Sequence, residues 1–219
     1  MYHEQISKKG FFIEPAQKPS GLKFVDRVIK RLFDIAIALI GLVGTSWLIL
    51  FAYILATIDT RQSGFFTQTR IGRHGKPFRT IKIRTMRKVA QVKTTVTTSQ
   101  DPRITRLGRF WRRTKIDELP QLINVLLGQM SLVGPRPDVP GFADRLVGPD
   151  RIILSIRPGI TGPATLVFRN EEELLAQQEE PVRYNREVIY PEKVRLNREY
   201  IENYRLWDDF RCLMQTVWN

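Results

Sequence analysis

IAIALIGLVGTSWLILFAYILATI, residues 35–58, runs without one charge between Asp34 and Asp59. At about 1.5 Å per helical residue it is long enough to reach across a bilayer core of about 30 Å. Both flanks are basic. Lys23, Arg27, Lys30 and Arg31 precede the run, and Arg61, Arg70, Arg73 and Lys76 follow it. Lys and Arg gather on the cytoplasmic side of a membrane, so basic flanks on both sides argue against a simple span. They favour a helix that enters one leaflet and returns. Gly41, Gly44, Thr45 and Ser46 lie at its middle, where hydroxyls can re-satisfy freed backbone groups, and a bend is expected at residues 44–46. The alternative is a straight helix with a small-residue packing face, since no proline breaks the run.

Upstream, residues 21–34 place Phe24, Val28, Ile29, Leu32 and Phe33 at helical spacing, an amphipathic lead-in. Residues 1–20 read as a surface arm. The apolar run starts too late and is too long for a cleaved leader, so it is expected to stay as an anchor. Residues 61–219 are enough for one compact domain. A single cysteine, Cys212, excludes an intrachain disulfide framework and fits a reducing compartment.

The net charge of +13 is concentrated. Residues 70–115 hold fifteen Lys or Arg and one acid, Asp101, and the remainder is close to neutral. That concentration points to a polyanionic partner: nucleic acid, anionic lipid or a phosphate-rich substrate. Within and beyond it the chain alternates short elements and turns. Residues 64–86 read as two short strands around a turn at Gly72, Gly75 and Pro77, with His74 exposed in that turn. Residues 87–101 read as a Thr-rich loop, and residues 103–113 as a helix. Residues 119–128, LPQLINVLLG, form a short helix with a proline start and a glycine stop. SLVGPRPDVPG and RPGITGP read as rigid turns. Residues 191–218 space Val194, Ile201, Tyr204, Phe210, Leu213 and Val217 on one face of a terminal helix, with Cys212 in the core. The acidic residues of 171–180 read as a solvated helix face.

Asp117 and Glu118 end a stretch in which nearly every charge is positive, just before Pro120. At a helix start ringed by Arg112, Arg113 and Lys115, a carboxylate is expected to have a depressed pKa. An ionised carboxylate can attack phosphorus, and a neighbouring carboxylate can hold a divalent metal. Arg136, fixed between prolines in GPRP, suits phosphate oxygens. Lys82 and Arg84 alternate with Ile81 and Ile83 and so share a strand face. Nucleophile, metal ligand and cationic clamps are the parts that phosphoryl transfer needs.

FFTQTRIGRHGKPFRTIKIRTM, DPRITRLGRFWRRTKIDELPQLINVLLGQMSLVGPRP and RPGITG closely resemble the bacterial sugar transferases known as monotopic phosphoglycosyl transferases, from about residue 30 to the C-terminus. The resemblance implies an α+β fold: a re-entrant N-terminal membrane helix and a small, mainly helical cytoplasmic catalytic domain with short strands. It implies transfer of a phospho-sugar from a UDP-sugar to undecaprenyl phosphate with release of UMP, at the cytoplasmic membrane, with Mg²⁺ and a covalent aspartyl phospho-sugar intermediate. Carried onto this chain, Asp117 is the nucleophile and Glu118 the metal-positioning acid. Arg112 and Arg136 hold phosphate, Lys82 lines the site, and Asp209 is a possible further acid. Thr45-Ser46-Trp47 stands where the family usually has Ser-Pro. Gln129 replaces an acid and Ile83 an aromatic. The long multi-span region of larger relatives is absent from the sequence, so a minimal form is expected. The competing readings are a membrane-tethered nucleic-acid-binding protein and a lipid-binding anchor. The former leaves two acids inside the basic stretch, where they would repel a phosphate backbone. Neither the sugar nor the oligomeric state is legible.

Overall fold

The computed structural model describes residues 22–87, 97 and 101–218. The expected arm at residues 1–20 and most of the Thr-rich loop lie outside these. In chain order the elements are helix α1 (Phe24–Thr60), strands β1 (Phe65–Ile71) and β2 (Pro77–Ile83), and helices α2 (Arg106–Arg113) and α3 (Gln121–Leu126). Strands β3 (Ser131–Val133) and β4 (Gly159–Thr161) follow. The chain ends in helices α4 (Pro163–Val167), α5 (Glu171–Ala176), α6 (Pro181–Tyr184), α7 (Tyr190–Glu202) and α8 (Leu206–Trp218). An apolar N-terminal helix thus precedes a mostly helical domain with short strands, as the sequence implied.

Helix α1 is one continuous helix through residues 44–46, so the bend expected there does not interrupt its hydrogen bonding. The hydroxyls of Thr45 and Ser46 donate to the carbonyls of Gly41 and Val43 inside a continuous helix, at 2.7 and 2.9 Å. Without a proline, every backbone N–H keeps its acceptor, so nothing forces a break. The small residues also serve packing. Lys30, Asp34, Ala38, Ile49, Ala52, Ala56 and Thr60 form one buried stripe at helical spacing. At Gly41, a Cβ would lie 3.2 Å from Leu122 of α3.

The opposite faces of α1 are apolar and bare. Phe24, Ile40, Val43, Trp47, Leu50 and Ile58 are each at least 60% exposed. Each such side chain gains about 1.5–3 kcal/mol on leaving water. A helix this long and apolar with so bare a face is built for lipid.

The downstream domain touches α1 along most of its length. Near one end, Arg31 donates to the carbonyls of Val125 and Leu126 at 2.7 and 3.1 Å. Asp34 accepts from the Leu132 N–H at 3.0 Å. Near the other end, Asp59 pairs with Arg87 at 3.1 Å. Residues 31–59 of a helix extend about 42 Å, more than a bilayer core is thick.

Strands β1 and β2 pair antiparallel around the Gly72 turn, as expected, with Phe66 opposite Lys82 and Arg70 opposite Phe78. His74 is exposed and left-handed (φ 60°). The free edge of β2 is held by buried Asn124 of α3. Its Oδ1 accepts from the Ile81 N–H at 3.0 Å, and its Nδ2 donates to the Arg79 carbonyl at 2.8 Å. The two glycine–proline turns are more than turns: they include a parallel pair, β3 with β4. A Cβ on Gly159 would fall 2.2 Å from the Gly134 nitrogen, and one on Gly162 would fall 2.3 Å from its carbonyl oxygen. Only bare backbone allows that approach.

The single terminal helix expected over residues 191–218 is two helices, separated at residues 203–205. The Asn203 amide donates back to the Glu199 carbonyl at 3.0 Å and ends α7. The turn brings Asp209 back toward α7, where Tyr200 Oη donates to it. Phe210, expected inside, is 43% exposed and stacks on Trp207. Cys212 is fully buried, and burial pushes its thiol up to about 12, so it is an inert core residue.

Candidate active site

Asp117 and Glu118 lie in a single 3-10 turn, Ile116–Glu118, directly ahead of α3. Lys115, which opens the turn, has φ 59°, a left-handed conformation that costs a non-glycine residue about 1–3 kcal/mol. Ile116 and Leu119 anchor the turn in a cluster with Ile49, Ala52, Ala56, Ile83 and Trp111. The acids therefore sit on a turn packed against the membrane helix. Both are buried.

Their surroundings differ. Glu118 Oε1 accepts from Lys82 Nζ at 2.8 Å and from Arg136 Nη2. Its Oε2 receives only a 3.4 Å contact from Arg136 Nη1. Arg136 and Lys82 together hold the Glu118 carboxyl well below the usual carboxylate range, against its burial. No hydrogen-bond donor among the described residues reaches the Asp117 carboxylate. Burial, reinforced by the Glu118 charge, pushes Asp117 up to about 6. The expectation that Asp117 would be depressed thus fails. The cations counted in the sequence are present, but Lys82 and Arg136 are spent on Glu118, and desolvation dominates at Asp117. Only Glu118 behaves as expected for the dyad.

This division has a pH signature. A nucleophilic Asp117 must be deprotonated, so kcat/KM should rise with pH through about 6 and level off above it. Because the folded value lies above the ordinary one, ionising Asp117 also costs stability. That contribution is present in acid and lost as pH rises through about 6. A rate profile flat from pH 5 to about 8 would contradict this assignment.

Arg112 lies near enough to Asp117 to oppose its upward shift. Its guanidinium, however, is held by Glu172 of α5. The acidic segment is therefore not a merely solvated face: Glu171 pairs with Lys193 at 2.6 Å, and Glu172 takes Arg112. Lys82, Arg112, Arg136, Asp117 and Glu118 come together. Asp209 lies apart from them. It is fully buried, paired with Lys30 of α1 at 2.5 Å and accepting from Tyr200 and from Tyr204 (3.1 Å). Its surroundings are those of a structural anchor for α1.

Two site residues escaped the sequence reading. Arg70 lies on the same hairpin face as Lys82, because the register sets Phe66, Gln68 and Arg70 opposite Lys82, Thr80 and Phe78. It donates to the Pro137 carbonyl at 3.0 Å. Burial, with Arg136 adding repulsion, lowers its guanidinium to about 10. Asp138 follows GPRP directly, and burial raises it to about 6 against the pull of Lys193 and Arg70. The spacing of Arg70 and Lys82 across the turn was the available signal for the first. Nothing in the sequence distinguished Asp138 from an ordinary turn acid.

Among the described residues no group of three or more His, Cys, Asp or Glu side chains is assembled for a metal ion. The dyad alone suits Mg²⁺, which is commonly bound by one or two carboxylates plus substrate phosphates. Asp117 and Glu118 Oε2 are the oxygens with capacity left for it.

Residues 25–219 match the family described as bacterial sugar transferase. A Bacillus subtilis relative, named for undecaprenyl-phosphate N-acetylgalactosaminyl 1-phosphate transfer, is 48% identical over 118 residues, 53% of this chain and 66% of its own length. The Escherichia coli UDP-glucose:undecaprenyl-phosphate glucose-1-phosphate transferase is 34% identical over 90% of this chain, which spans 41% of that protein. The exopolysaccharide production protein ExoY of Sinorhizobium fredii is 30% identical over 94% of this chain and 91% of its own length. With its dyad, cationic clamp and lipid-facing helix, this chain belongs to the bacterial sugar transferase family.

Proposed function

We propose that the protein transfers a phospho-sugar from a UDP-sugar to undecaprenyl phosphate, releasing UMP and starting glycan assembly on a lipid carrier. The observation that carries this reading is the contrast within the dyad: a buried Asp117 with no donor beside a Glu118 that fixes Lys82 and Arg136. One Asp117 oxygen attacks the sugar-bearing phosphorus. The bond from that phosphorus to the bridging oxygen breaks, and UMP leaves with the electron pair. An oxygen of undecaprenyl phosphate then attacks the same phosphorus and releases Asp117, giving the undecaprenyl diphospho-sugar. Lys82, Arg136 and Arg70 orient the phosphates and offset the charge that builds on their oxygens. Mg²⁺ held by the dyad would supply Lewis-acid neutralisation of the diphosphate.

The acceptor phosphate resides at headgroup level and the nucleotide sugar in the cytosol, so the dyad faces the cytoplasm. Contact of α1 with the domain over about 42 Å supports a monotopic placement. In it the helix enters and leaves on one side, keeping both basic flanks cytoplasmic as the charges require.

Purified protein with Mg²⁺, undecaprenyl phosphate and a panel of UDP-sugars should release UMP. Silence across a broad panel, with folded protein and active controls, would refute the reading. EDTA should stop turnover and added Mg²⁺ restore it; turnover that survives EDTA would remove the metal from the scheme. Glu172→Gln frees Arg112 from its half-exposed partner. Pairs of that exposure are worth up to about 1 kcal/mol, so KM for the UDP-sugar should fall by up to about fivefold. An unchanged or higher KM would show that Arg112 does not meet the nucleotide.

A further inference from the structure

A second concentration of cations lies away from the dyad. Arg27, Lys30 and Arg31 of α1 line a small open cleft with Arg73 of the hairpin turn and Arg157 of the RPGITGP segment; Asp34 is the acid among them. Lys30 is committed to Asp209, and Asp34 accepts from the Leu132 N–H. The four arginines are held in place by backbone carbonyls. Arg27 Nε donates to Leu22 at 3.0 Å, Arg73 Nε to Ser155 at 2.9 Å and Arg157 Nε to Gly128 at 2.8 Å. Arg31 takes the last carbonyls of α3. Among the described residues the terminal nitrogens of Arg27, Arg73 and Arg157 have no acceptor. Fixed forks with unused N–H groups match phosphate oxygens.

The crowding is unfavourable without an anion. Burial lowers the Arg73 guanidinium, and Arg157 and Arg27 lower it further. Arg157 is lowered by burial and by Arg31, against the pull of Asp34. Phe24 and Val28, within one helical turn of Arg27 on α1, are 80% and 43% exposed. The cleft is also displaced from the chemistry. It uses residues 27–34 of α1, whereas the dyad turn packs in the cluster beginning at Leu42. Along a helix that separation is at least about 12 Å.

We propose that Arg27, Arg31, Arg73 and Arg157 form a phosphate site, separate from the dyad, that takes the headgroup phosphate of an anionic membrane lipid. Cationic forks on a helix that also bares Phe24 and Val28 fit a phosphate with acyl chains alongside it. Occupation seats the N-terminal end of α1 and the Arg157 segment at headgroup level, independently of substrate.

The test is partition of the purified full chain onto phosphatidylcholine vesicles with and without phosphatidylglycerol, at physiological salt. Arg73→Gln with Arg157→Gln should weaken binding to the anionic vesicles about thirtyfold and leave binding to the neutral ones unchanged. Arg27→Gln, at an exposed position and at the loss of one bond to the Leu22 carbonyl, should cost about fivefold and guards against misfolding of the double variant. Arg106→Gln with Arg109→Gln, two exposed arginines of the basic stretch, is the comparison. If that pair costs as much as the cleft pair, attraction is diffuse and the site is overturned. Titration of inorganic phosphate into the protein in phosphatidylcholine nanodiscs separates the sources. No saturable binding supports the lipid. Saturable binding that the double variant loses would keep the site but overturn the lipid as its occupant.

Discussion

Asp117→Asn should abolish UMP release and the covalent phospho-sugar adduct together. A nucleophile removed from a two-step transfer leaves only what positioning and charge stabilisation supply, and losses of about 10⁴-fold or more are usual. The substitution nearly preserves volume and leaves Glu118 with Lys82 and Arg136, so the clamp is intact. It also removes a buried negative charge beside Glu118, so the folded protein should be no less stable than the parent. Intact-protein mass spectrometry after mixing with a UDP-sugar reads the adduct directly. An adduct on the Asp117→Asn variant would move the nucleophile elsewhere, with the half-buried Asp138 the next acid to test.

The second large effect is on stability. Asp209→Ala leaves Lys30 buried without its anion and two tyrosine hydroxyls without their acceptor. Breaking one side of a buried pair costs about 3–5 kcal/mol. In a chain of this size that is a fall of about 10 °C in Tm, measured in detergent. Lys30→Met combined with Asp209→Leu should recover most of the loss, because no charge is then stranded. Turnover per folded molecule should be unchanged in the double variant. A double variant that is stable but inactive would return Asp209 to the chemistry, where the family resemblance had placed it.

Much of this was readable in order along the chain. The uncharged run of residues 35–58 specified a helix long and apolar enough for a membrane, and its bare faces in the fold are what suit it to lipid. The turn residues Gly72, Gly75 and Pro77 located the hairpin, and IDELPQL located the dyad ahead of a short helix. What was misread depended on partners distant in sequence. Gly41 looked like part of a bend, and it is also where α3 comes close to α1, through Leu122 far along the chain. SLVGPRPDVPG and RPGITGP looked like isolated turns until Ser131–Val133 and Gly159–Thr161 met as β3 and β4. The break at residues 203–205 lets Asp209 reach Lys30, 179 positions away.

The sequence by itself determined most of the elements, an apolar helix suited to a membrane and the place of the Asp117–Glu118 pair, since these follow from local spacing, hydropathy and motif. Only the tertiary structure decided the ionisation of that dyad. Lys82 and Arg136 arrive from a hairpin and a proline turn, and both go to Glu118, leaving Asp117 to be governed by burial. Charge counted along a chain cannot show which carboxylate the cations reach or which is desolvated. The Arg27, Arg31, Arg73 and Arg157 cleft rests on the same fact, since three separate segments meet there only when the chain is folded.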